Sequence, residues 1–238
     1  MRRVLVKNSL SQISLEAHRL TKVKENTHYH AYKNHHILPI VVHEYASVAT
    51  EFPIVFVKNA DSGKFDSVAM FGFEVNENNF FKEGEWQGYY TPQNMRKEPF
   101  SVKATSNEFD NFVLCIDESS DLVSSSEGEA LFTDTGEQSD FLKAKQKEII
   151  ALLEKTFLTD ALIKLLIEKD LLIPRGFTIT REDGSKHDVD GIYIVSEQKL
   201  QALSKDDYLS LKTKGFLLPI YAHLISLNQI GRLAQNRN

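Results

Sequence analysis

The chain has 238 residues, 42% of them hydrophobic with 15 Phe, and a formal net charge of -5. Length and apolar content suit one large domain or two closely joined lobes with a substantial core. The negative balance offers no broad basic field, so neither nucleic acid nor an anionic membrane surface is an expected partner. The single cysteine, Cys115, admits no intrachain disulfide, as is usual in a reducing compartment.

Near the start, Arg2-Arg3 precede an apolar run from Val4 to Val6 that Lys7-Asn8-Ser9 interrupts. No export signal of the usual kind is expected, and a cytoplasmic location follows. Pro53 to Lys58, Ser67 to Val75, Trp86 to Tyr90 and Asn111 to Asp117 are short segments rich in Val, Phe, Tyr and Ile, separated by polar breaks. They read as strands of an antiparallel sheet, with Asp61-Ser62-Gly63 as a hairpin-type turn.

The pattern changes near Ser139. Leu142, Ile149, Ile150, Leu153 and Phe157, then Leu162, Leu165, Leu166 and Ile167, recur at helical spacing. Thr159-Asp160 can cap a second helix and Pro174 can stop it, so a helical hairpin is expected between Asp140 and Asp170. Phe177 to Thr180 and Asp188 to Val195 flank a turn at Asp183-Gly184 and read as a β-hairpin.

Ser204-Lys-Asp-Asp207 resembles a capping box, and Gly215 can close that helix in a left-handed conformation. A last helix is expected from Pro219, with Ile220, Leu224, Ile225 and Leu227 on its apolar face and Asn236 to Asn238 as a frayed end. Its most apolar window, Phe216 to Leu227, has 12 residues and contains Pro219, His223 and Ser226, where a bilayer span needs ~20. No membrane insertion is expected. The fold class is α+β, mainly antiparallel sheet first, then helices, one β-hairpin and a C-terminal helix. It is read as a single domain over 1–238 that can divide into a β-rich lobe, 1–138, and a mainly helical lobe, 139–238.

Five of the eight histidines lie between His28 and His43. His28, His30, His43 and Glu44 can be drawn as a metal site, because alternate strand residues share a side. No HExxH or two-His-one-carboxylate spacing accompanies them, and the expectation is no metal and no cofactor. Cys115, in Val-Leu-Cys-Ile-Asp, reads as a buried small hydrophobe because no base or cation neighbours it in sequence. Asp117-Glu118, with Glu127, Glu129 and Asp134 on the next segment, can form an acid/base pair or a solvated turn.

Phe71, Phe73, Phe80, Phe81, Trp86, Tyr89, Tyr90 and Phe100 form the densest aromatic group, interleaved with Arg96 and Lys97. Such a group can line a binding surface or build a core. His223 and Ser226 are neighbours at i,i+3, yet no GxSxG elbow accompanies them. The expected ligand or partner surface comprises Phe71, Phe73, Trp86, Tyr90, Arg96, Tyr221, His223, Asn228 and Gln229.

The run from Gly191 to Gln229, GIYIVSEQKLQALSKDDYLSLKTKGFLLPIYAHLISLNQ, resembles the C-terminal signature of the bacterial SapC family. Glu51-Phe-Pro-Ile-Val-Phe56, Met70-Phe-Gly-Phe73, Asn78-Asn-Phe80, Trp86, Tyr90, Arg96 and Pro99-Phe100 fit the same family. So do His18, Cys115-Ile-Asp-Glu118 and the Glu127-Gly-x-x-Leu-Phe132 run. This family carries a surface-layer name and is distinct from the peptide-transporter permease that shares it, since a permease requires several spans. The residues are read as those of a non-catalytic binding or accessory protein with a protein or peptide partner, and the resemblance implies a supporting role in TonB-dependent uptake or peptide and tryptophan modification. A metal-dependent enzyme using the His-rich segment and a surface-layer protein are the alternatives.

Overall fold

The computed structural model describes residues 10–104, 112–180, 184 and 186–235. The expected strand residue Asn111, the turn residue Asp183, the Asn236 to Asn238 end and the segment before Leu10 lie outside them. The fold class is α+β. The chain divides into two compact units, each built from two separated segments: 1–27 with 95–153, and 28–94 with 154–238.

In the first unit, a three-stranded antiparallel sheet has the Phe112–Asp117 strand at its centre, flanked by Leu10–Gln12 and Phe100–Ala104. Cys115 is buried within that central strand. Val23, Phe100, Ile116, Leu131, Leu142 and Ile149 pack as one cluster, so a strand-period pattern and a helix-period pattern meet in a common core.

The second unit is organised around a five-stranded antiparallel sheet. Its strands run in the order Leu172–Thr180, Lys186–Val195, Ile54–Lys58, Phe65–Met70 and Ile37–Pro39. The late β-hairpin therefore joins the same sheet as the early strands. Gly63 has φ +69° in the turn between Ile54–Lys58 and Phe65–Met70, the left-handed conformation that glycine takes without steric cost. Asn59 Oδ1 accepts from the main-chain N–H groups of Asp61 and Ser62 and fixes the same turn.

Three expectations are corrected. The helical hairpin is one continuous helix, Asp140–Glu168. Thr159 does not cap a second helix: its hydroxyl donates to Lys155 O within the helix and accepts from Val42 N. With no Gly or Pro between Asp140 and Glu168, nothing interrupts the ladder. Pro174 lies within the edge strand Leu172–Thr180, a position that leaves its missing N–H without consequence for a neighbouring ladder, while the helix has already ended before Asp170, at φ +52°.

The Phe65–Met70 strand stops short of Val75 because Glu77 Oε2 accepts from the N–H groups of Phe73 and Glu74 and curls the chain. Trp86 to Tyr90 is likewise no strand beyond Glu85–Trp86. Two backbone N–H groups, at Tyr89 and Tyr90, are bound by a side chain instead of a ladder.

The C-terminal region follows its local signals closely. Ser204 Oγ accepts from Asp207 N and caps Lys205–Thr213, and Gly215 follows it at φ +74°. The next helix, Leu217–Ser226, carries Pro219 in its first turn and packs against the Ile54–Lys58 and Lys186–Val195 strands. A short helix, Gln229–Gln235, completes the described chain. Among the described residues, no helix is long and apolar enough to cross a membrane.

Candidate functional site

The two faces of the Leu217–Ser226 helix differ in kind. Pro219, Ile220, Ala222, His223 and Ser226 are buried, whereas Leu218, Tyr221 and Ile225 are 70%, 42% and 63% exposed. Ile225, expected on the inner face, points outward. Two polar side chains take the inner positions because the sheet presents unpaired main-chain groups there.

Those groups belong to Ile54 and Val195. The Lys186–Val195 and Ile54–Lys58 strands pair at Ile192 with Val57 and at Tyr193 with Phe56. Extending that register places Val195 opposite Ile54, where the imidazole of His223 stands between them. Val195 N–H donates to Nε2 over 3.0 Å, and Nδ1 lies 2.8 Å from Ile54 O. An acceptor at Nε2 requires the proton on Nδ1, so the ring is the neutral Nδ1–H tautomer and substitutes for a rung of the ladder. Complete burial pushes its pKa down from 6.5 to about 4, against the opposing effect of the Ile54 bond. Ser226 completes the join: its hydroxyl accepts from Ile54 N over 2.9 Å and donates to His223 O over 2.6 Å. Gln229 adds donation to Thr50 O over 3.1 Å, and Asn228 donates back to Ile225 O.

Phe71 and Phe73 are buried as well, so neither presents a side chain at a surface. Phe71 packs with Phe52, Phe80 and Trp86 at ring-centroid separations of 5.1, 6.0 and 5.2 Å, the edge-on geometry of an aromatic core. Trp86 is half-buried over this group. Its Nε1 and Asn79 Nδ2 are buried polar atoms without a hydrogen-bond partner. Tyr90 donates its hydroxyl to Glu44 Oε2 over 2.9 Å. Arg96 is exposed at the end of the short Gln93–Arg96 helix and belongs to the other compact unit.

The role of two buried carboxylates, Glu44 and Glu51, escaped the sequence reading. Glu44 accepts from Val41 N, Gln93 N and the Tyr90 hydroxyl, each over 2.9 Å. Glu51 accepts from Tyr89 N over 3.1 Å and Tyr90 N over 3.0 Å. Together they hold the Tyr89–Gln93 segment through donors some forty residues distant. The available signal was Glu51 directly before the apolar Phe52-Pro-Ile-Val-Phe56 run, an acid at the edge of a buried strand.

The histidine segment has a different arrangement from a ligand set. His28 and His30 have ring centroids 5.4 Å apart, and His28 Nδ1 lies 3.7 Å from Glu85 Oε1. Glu44 is engaged as above, and among the described residues no three His, Cys, Asp or Glu side chains converge as a metal-binding group. His28 and His30 are thus neighbours, but His28, His30, His43 and Glu44 do not converge as one ligand set among the described residues.

The nearest approach to a catalytic constellation lies in the first unit. Ser11 Oγ donates to Glu118 Oε1 over 2.6 Å, and buried His18 places Nε2 3.2 Å from both atoms. The Ser11 hydrogen bond, more than the His18 contact, holds the Glu118 carboxyl below its usual range. In a nucleophile–base–acid relay, serine and carboxylate bind opposite ring nitrogens, and the serine proton points at the imidazole. Here both sit on Nε2 and the serine proton points at the carboxylate. The geometry is that of a tether between the Leu10–Gln12 strand, His18 and the chain following Asp117.

The outer side of the C-terminal helices is open. A groove of about 710 Å³ is lined by Leu200 and Leu203, by Tyr208 and Leu209 of the Lys205–Thr213 helix, and by Tyr221. The Tyr208 and Tyr221 hydroxyls are 3.5 Å apart, and this hydrogen bond, followed by burial, raises the Tyr221 pKa. Of the residues expected at a partner surface, Tyr221 is the one that lines this groove.

No curated protein and no solved structure matches the chain. The family model for SapC matches residues 13–233 of the 238. That span takes in the Ser11-linked His18, the Glu44 and Glu51 clamps and the C-terminal helices as far as residue 233, and the chain belongs to the SapC family.

Proposed function

We propose that this protein is a non-catalytic binding or accessory factor of the cytoplasm that engages a protein or peptide partner through its C-terminal helices. One observation carries the reading. On the Leu217–Ser226 helix, the side chains capable of chemistry, His223 and Ser226, are committed to main-chain groups of the sheet, while apolar Leu218, Tyr221 and Ile225 face outward. An apolar stripe on a rigid, pinned helix supplies binding area with little to lose in conformational entropy. Family membership supports placing that role alongside TonB-dependent uptake or peptide and tryptophan modification.

The test is a photo-crosslinking amino acid placed at Leu218 or Ile225 of the full chain in its native cells, with Val75, itself well exposed, as control position. The same discrete protein adduct from both helix positions, and none from Val75, is the expected result. Absence of an adduct, or an identical pattern from Val75, overturns the reading.

A further inference from the structure

The groove beside Tyr221 carries a charge arrangement that specifies its occupant further, given the binding role above. Lys205, Tyr208 and Lys212 recur at i, i+3 and i+7 on the Lys205–Thr213 helix, and all three line the groove. Seven residues of helix set the two lysines about 10 Å apart along its axis. Neither lysine has a side-chain hydrogen bond or ion pair among the described residues, whereas nearby Asp207 is held by Lys169 and by Ser204.

Asp206 is the one acid among the lining residues. The lining thus holds two lysines against one acid, with Glu197 acting on Tyr221 from beside it, on a chain whose net charge is -5, so the lysine pair is a local feature and not part of a general basic field. Between the two cations lie Tyr208 and Leu209, the latter 57% exposed, with Leu200 and Leu203 also lining the groove. An apolar floor between two unpaired ammonium groups fits apolar side chains bracketed by carboxylates.

We propose that the groove binds a short peptide segment of a protein partner, with apolar residues flanked by acidic side chains about 10 Å apart. In a polyproline II segment, with three residues per turn and a rise of ~3.1 Å each, residues i and i+3 share one side about 9 Å apart. Aromatic or leucine side chains enter between Tyr208, Leu209 and Tyr221, and the flanking carboxylates meet Lys205 and Lys212. The lysines remain hydrated at the rim, so their contribution is to orientation and salt-sensitive association more than to buried contact.

The probe is a fluorescein-labelled peptide with a Glu-Leu-Phe-Glu centre, titrated with the full chain by fluorescence anisotropy beside Gln-Leu-Phe-Gln and Lys-Leu-Phe-Lys versions. The acidic peptide should bind best and weaken with added salt. The Lys205→Glu/Lys212→Glu double variant should bind it about tenfold more weakly and reverse the preference toward the lysine peptide. Leu209→Asn, which removes apolar surface without adding charge, should weaken all three peptides. Both variants change exposed side chains, and unfolding curves matching the wild type verify that their fold is intact. Equal binding of the three peptides, no saturable binding of the acidic one, or binding insensitive to the double reversal overturns the assignment. If the crosslinks from Leu218 and Ile225 still yield a partner in that event, the binding role stands and only the acidic-segment specificity fails.

Discussion

Protonation of His223 should open the seam it fills. In the folded protein its pKa is depressed from 6.5 to about 4, so the unfolded chain binds the extra proton first as the pH falls. The stability contributed by the neutral ring is complete above pH 6.5, declines below it and is lost once the pH passes about 4. At 1.36 kcal/mol for each pH unit of separation, the full loss is roughly 3 kcal/mol, with about 2 kcal/mol already gone at pH 5.

The structural cause is specific: Nε2 accepts Val195 N–H, and a proton placed there turns an acceptor into a donor facing a donor. Urea unfolding of the wild type and of His223→Gln between pH 7.5 and 4.5 isolates this group. Glutamine has one acceptor and one donor and does not titrate, while every other acid and histidine is common to both proteins. The variant should be less stable at neutral pH, because its amide geometry fits the Val195 to Ile54 gap less well, and the wild-type advantage should shrink by about 2 kcal/mol on reaching pH 5. Parallel stability curves for the two proteins over that range would refute the assignment of a buried neutral rung.

Ser226→Ala should cost about 1 to 3 kcal/mol in the same assay, because it leaves the buried Ile54 N–H without its acceptor; a change below about 0.5 kcal/mol would contradict that accounting. Glu51→Ala should speed hydrogen exchange at the Tyr89 and Tyr90 amides, and Glu51→Gln should do so less because one acceptor oxygen remains. Unchanged exchange in Glu51→Ala would show that the carboxylate does not restrain this segment. Cell fractionation should recover the native protein in the cytosol, and recovery from the outer surface of intact cells would return the surface-layer alternative.

Features decided within a few residues were legible in the sequence. The Ser204 cap, the glycine turns at Gly63 and Gly215 and the burial of Cys115 all follow from local chemistry, and each stands where it was expected. The continuity of the helix through Thr159 was not legible, because threonine can cap a helix or bond back within one. The choice depends on Val42, 117 residues away, whose N–H requires the same hydroxyl. The Glu44 and Glu51 clamps were hidden for a related reason. A buried carboxylate without a nearby cation looks unfavourable until the backbone donors that satisfy it are known.

The same limit explains why Ile225 was read onto the inner face of the Leu217–Ser226 helix, where Ile220 does lie. Hydropathy places Ile225 in the core and leaves Ser226 to solvent, and a helix packed on a fully paired sheet would obey it. This sheet is not fully paired where the helix crosses it: past Tyr193 and Phe56 the strands part, and Ile54 and Val195 must find other partners. Meeting those donors and acceptors turns His223 and Ser226 inward, and the three- and four-residue steps of the helix then carry Leu218, Tyr221 and Ile225 outward. The exposed apolar stripe is thus a geometric consequence of the polar seam beneath it. Loosening the seam by acid or by His223→Gln should also disturb the exposed Leu218, Tyr221 and Ile225 face, which links the stability of this sheet to the binding role proposed for its outer helix.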